Sequence, residues 1–109
     1  MNRTQLLAEY IRGQARRRLD RVEVRDGGAN ARCALALFDV AAHVATLAED
    51  DPAIEALAVA GCFAGDAFDP GETGERFIGR WHLEGPDGDP WDLLSSLPRL
   101  VSHPPRVPA

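Results

Sequence analysis

Asp39 and His43 stand four residues apart in the stretch FDVAAHVATLAEDD, which is otherwise almost entirely alanine, valine and leucine. On a helix that spacing places a carboxylate beside an imidazole on one face, where the acid can orient the ring as a general base or a metal ligand. The same spacing arises on any amphipathic helix, so the solvated-edge reading is preferred and the pair stays a candidate. Trp81, His82 and Trp91 gather in the C-terminal third. Asp39, His43, Trp81 and His82 together compose the lining of a hypothetical ligand pocket. Large indoles are more often core residues with a satisfied N–H.

Other chemistries find less support. Cys33, Cys62, His43, His82 and His103 show neither C-x-x-C nor H-x-x-x-H spacing, so no metal and no cofactor is expected. Cys62, in AGCFAGD, has no basic neighbour in sequence to stabilise a thiolate. Ser95 and Ser96 belong to no nucleophile motif. EGPDGD is glycine-rich, but its aspartates repel an anion and no P-loop Lys-Thr follows. Two cysteines make no disulfide framework and read as buried thiols.

The elements that must position these residues follow from periodicity. Residues 3–24 read as an amphipathic helix, with Leu7, Ile11, Ala15, Leu19 and Val22 on one side. RVEVR at 21–25 also alternates like a strand. DGGAN at 26–30 ends this element. Residues 31–50 form the strongest helix. Arg32, Asp39, His43, Thr46 and Asp50 fall in one narrow polar stripe and the other faces are apolar, so the helix is expected to lie at the centre of a bundle. Asp51-Pro52 opens a helix through about Gly65, and Asp89-Pro90 opens a short one that Pro98 limits. Residues 69–84 fit a helix better than a strand, although FIGRWHLE alternates. The expected fold is a small all-α bundle of four to five helices. The alternative is α+β, with a two-stranded ribbon from 21–25 and 77–83. A single domain spans 1–102, followed by a flexible proline-rich tail at 103–109 in which Pro105 and Pro108 have Pro-x-x-Pro spacing.

The 109 residues fit one domain, and the composition, 45% hydrophobic and 27% charged, is that of a globular chain. No stretch is long enough to span a bilayer, and the arginine-rich start lacks the order of a signal peptide, so a cytoplasmic location and no membrane partner are expected. All twelve basic residues are arginine, which with the alanine content suggests a GC-rich bacterial source. The net charge of −5 is unevenly spread. Residues 1–25 hold seven arginines against Glu9, Asp20 and Glu23, giving +4, and the remainder carries −9. Arg12, Arg16, Arg17, Arg21 and Arg25 therefore form a candidate anion- or partner-binding face. An acidic total and no helix-turn-helix signature disfavour nucleic acid. The favoured reading is a non-enzymatic interaction protein, an accessory or regulatory partner, with self-association as one form. The competing reading is a small enzyme or ligand-binding protein using the Asp39, His43, Trp81 and His82 pocket.

Overall fold

A computed structural model describes residues 1–100. The end of the domain at 102 and the tail at 103–109 lie outside the described residues. Among those described, the chain is mostly helical: α1 (Arg3–Leu19), α2 (Ala29–Ala45), α3 (Pro52–Val59), α4 (Gly71–Gly79) and α5 (Pro90–Leu100). Between α3 and α4 lies a small antiparallel ribbon, β1 (Phe63–Ala64) and β2 (Ala67–Phe68).

Helix α1 begins at a capping box. The Asn2 side chain accepts the Gln5 N–H at 2.9 Å, and the Gln5 side chain accepts the Asn2 N–H at 2.9 Å. It ends at Leu19, five residues earlier than its periodicity suggests. The cause is a side-chain network in the α1–α2 connection. Asp26 accepts the Glu23 and Gly28 N–H groups and the Asn30 amide. The same Asn30 amide donates to the Arg21 carbonyl, and its oxygen accepts from Arg18 at 3.2 Å. These bonds hold 20–28 as a folded turn. RVEVR is accordingly neither helix nor strand, and Val24 is fully exposed. Gly27 and Gly28, at φ 66° and 79°, supply two successive left-handed residues that turn the chain into α2.

Aspartate-proline pairs start the later helices as expected. The Asp51 carboxylate accepts the Ala53 N–H at 2.9 Å ahead of Pro52. Asp89 and Asp92 cap each other's main-chain N–H groups at the start of α5. Helix α3 stops at Val59 rather than Gly65. Gly61 turns left-handed at φ 86°, its N–H donates to Ala58, and the Cys62 N–H donates to Leu57, which is a Schellman closure. Residues 69–84 resolve as helix α4 followed by turns, with no strand. The expected alternative ribbon of 21–25 with 77–83 does not form. The actual ribbon pairs Phe63 with Phe68 and Ala64 with Ala67 around Gly65–Asp66. Pro98 does not stop α5, which runs to Leu100. In the last turn its missing N–H deprives only the Leu94 carbonyl of a helical donor.

The core lies on the antiparallel α1–α2 hairpin. Leu7, Ala8, Ile11 and Ala15 meet Cys33, Leu37, Val40, Ala41 and Val44, and Ile54, Leu57, Ile78, Leu93, Leu94 and Leu97 close over them. Burying each leucine or isoleucine contributes about 1.5–3 kcal/mol. Helix α1 also packs against α4 and β2, whereas α2 packs against α1 and α5, so the hairpin rather than α2 alone is the centre.

Asn30 ties α1, the connecting turn and α2 together. Asn30→Ala is therefore expected to lower urea-unfolding stability by about 1–3 kcal/mol. Hydrogen bonds, first from Asn30, hold the Asp26 carboxyl below its ordinary pKa. A depressed acid stabilises the fold above its unfolded pKa, and that contribution fades as pH falls. Asn30→Ala should lose part of this acid sensitivity. A variant within about 0.5 kcal/mol of the wild type would contradict the assignment.

Candidate functional site

The polar stripe of α2 is mostly wet. Arg32, Asp39 and Thr46 are exposed, as is Asp50 beyond the helix. His43 is half-buried, and its Nε2 is enclosed without a hydrogen-bond partner among the described residues. No hydrogen bond joins Asp39 to His43. Arg32 bends away to bond the Gly27 and Leu83 carbonyls.

Trp81 and His82 serve the fold around them. Trp81 is buried and meets Phe77 edge-on at 5.5 Å. His82 has φ 57°, a left-handed conformation costly for a residue with a Cβ. Two bonds hold it there: its N–H donates to Asp87 at 2.7 Å, and its Nε2 lies 2.7 Å from the Gly88 carbonyl. A carbonyl only accepts, so Nε2 carries the proton. That atom braces the 83–89 loop.

Clefts open on the surface of the described residues. One of about 650 Å³ separates the first turns of α1 from residues 45–49 and includes Thr4, whose Oγ1 is buried without a partner among the described residues. A second of about 560 Å³ runs between α4 and α5 over Phe77 and Trp81. A third of about 280 Å³ lies between α1 and α4. Asp39, His43 and His82 line none of these three, and Trp81 alone of the four pocket candidates lines one of them.

The thiols are sealed. Cys33 and Cys62 are fully buried, Cys33 with its Sγ 3.5 Å from the Gly79 carbonyl. Burial pushes both thiols up, Cys62 to about 11, which is the opposite of what a nucleophile needs. Among the described residues no three His, Cys, Asp or Glu side chains cluster as metal ligands, and no helix is long and apolar enough to cross a membrane.

The basic face predicted from sequence divides. Arg12 pairs with Glu9 at the N-terminal cleft. Arg16 and Arg25 are exposed and line no cleft, whereas Arg17 and Arg21 line the third. There they are joined by Arg18, Arg76 and Arg80. Sequence reasoning missed Arg76 and Arg80, because only the fold brings α4 against α1.

A second feature was also missed. Helix α2 is not wrapped on every apolar side. Leu35 is 66% exposed, Ala42 and Ala45 are exposed, and Ala31 and Phe38 are half-covered. Residues 31, 35, 38, 42 and 45 recur at steps of four, three, four and three, the spacing of a helix–helix seam. That spacing was legible, but it was indistinguishable from the buried faces of the same helix. Comparison with family models, with curated proteins and with solved structures finds no match to this chain.

Tyr10 is the chain's only tyrosine and sits beside the arginine cleft, its hydroxyl accepting from Gln14 at 3.2 Å and its ring against Phe68. Burial, reinforced by Glu75, pushes its pKa up to about 12. The fold holds the neutral phenol, so the stability this group contributes is full below its unfolded pKa, about 10, and is lost as pH rises toward 12. Phenolate absorbance should titrate with a midpoint near 12 in the folded protein and near 10 in urea. Identical midpoints would contradict the packing of Tyr10.

Proposed function

We propose that this protein is a non-enzymatic interaction module that pairs with a second copy of itself through the outer seam of α2. The observation that carries the reading is Leu35, a large apolar side chain left 66% exposed in the middle of a seam otherwise built of alanines and Phe38. Small residues let a facing helix approach closely, and a leucine supplies the anchor. In an antiparallel pair, Leu35 of one copy meets Phe38 of the other while Ala31 meets Ala42, so the surface is self-complementary as two-fold symmetry requires. Sealed thiols, a His82 ring committed to its own loop and scattered pocket candidates favour this reading over a catalytic one.

The seam is ~21 Å long and one helix wide. Two copies bury on the order of 500 Å² there, below the usual range for stable complexes. The pairing is therefore weak, with a dissociation constant of tens of micromolar or more. An association of that strength suits an accessory or regulatory partner whose state follows its concentration.

Sedimentation equilibrium tests this. The apparent mass should rise from monomer toward dimer between low-micromolar and millimolar protein. Leu35→Glu should hold the chain monomeric while leaving thermal stability nearly unchanged, because the position is solvent-facing. A fixed monomer throughout, or a Leu35→Glu variant that dimerises like the wild type, would defeat the proposal.

A further inference from the structure

The arginine cleft between α1 and α4 uses different helices from the α2 seam and points to a separate activity. Arg17, Arg18 and Arg21 come from α1 and the turn after it, and Arg76 and Arg80 from α4. Glu75 is the one carboxylate lining the cleft, which leaves it four positive charges in excess. Like charges this concentrated repel one another, and an anion entering the cleft would relieve them.

The arrangement is partly prepared for such an anion. Arg18 is fixed in place, its Nε donating to the Gly79 carbonyl at 2.7 Å and its Nη1 to Asn30. Among the described residues Arg17 and Arg21 make no ion pair. Arg76 and Arg80 pair with Glu72 and Glu84 on their own segment, but these contacts are solvent-exposed and cheap to exchange for a better acceptor. Guanidinium forks match the oxygens of a phosphoryl group, with two parallel N–H···O bonds per arginine. A single carboxylate would leave most of the excess charge unmatched. About 280 Å³ admits one compact, multiply charged group. No aromatic side chain lines the cleft to stack a base, and the chain's net charge of −5 opposes a long polyanion.

We propose that the α1–α4 cleft binds the phosphoryl group of a small phosphorylated ligand, with Arg17, Arg21 and Arg80 as its principal donors and Arg18 as the fixed floor. Titration calorimetry with inorganic pyrophosphate at low ionic strength tests it, using the full chain. The expected result is saturable one-to-one binding that weakens about tenfold or more in each of Arg17→Ala, Arg21→Ala and Arg80→Ala. These side chains are exposed, so the variants retain their fold, checked by an unchanged melting temperature. Arg16→Ala and Arg99→Ala, which lie outside the cleft, should change affinity less than about twofold. Four results would overturn the proposal: no saturable binding, an equal loss in the outside variants, tighter binding of citrate than of pyrophosphate, or tighter binding of a short DNA duplex. Leu35→Glu should bind pyrophosphate as the wild type does, so the outcome here is independent of self-association.

Discussion

Where α1 meets α2, the buried residues include Ala8 and Ala15 on one helix and Cys33 and Ala41 on the other. Small side chains allow two helix axes to approach to the near end of the usual 8–10 Å range. Leu7, Ile11, Leu37, Val40 and Val44 then fill the space to either side. The approach is possible only because the chain reverses tightly between the helices, and Asp26, Asn30 and the two left-handed glycines make it do so. Every later element is laid on this hairpin. Phe68 of the ribbon packs on Tyr10, the end of α4 is tied to Arg18 through the Gly79 carbonyl, and α5 presses three leucines onto α2 and α3.

The hairpin also explains where reactive groups fail to meet. Helix α5 packs on α2, and His82 is consumed in holding the 83–89 loop. Trp81 is consumed in the wall beneath it. Asp39 remains in water on α2. What the packing leaves over is of two kinds: an uncovered apolar seam on α2, and arginines from distant parts of the chain crowded into one cleft. The proposed self-association rests on the first and the proposed anion binding on the second.

Much of this was readable before any coordinates. The Asp51-Pro52 and Asp89-Pro90 pairs marked their helix starts because capping is local chemistry, and α1 declared its inner face through Leu7, Ile11 and Ala15. Arg32, Asp39 and Thr46 of the α2 polar stripe are exposed as their spacing implied, whereas His43 is half-buried. The misreadings have specific physical origins. Val22 and Val24 continue an apolar pattern, yet Asp26 captures the Glu23 N–H between them in a turn, so periodicity outran the helix. The ribbon at 63–68 has two residues per strand, too short for any alternation to register. Helix α2 is apolar on several faces, and sequence alone does not tell which of them the other helices leave bare. Arg76 and Arg80 lie some sixty residues from Arg17 and Arg21, so their convergence is a product of the tertiary fold.

The central claim is that the uncovered face of α2 is a working surface rather than an accident of packing. A dilution series followed residue by residue, by amide resonances of isotope-labelled protein, tests it most directly. The account predicts that signals of Ala31, Leu35, Phe38, Ala42 and Ala45 shift together between millimolar and micromolar protein while those of Arg17 and Arg21 stay still. Resonances that do not move at all, or that move at Val24 or Val59 instead, would contradict it.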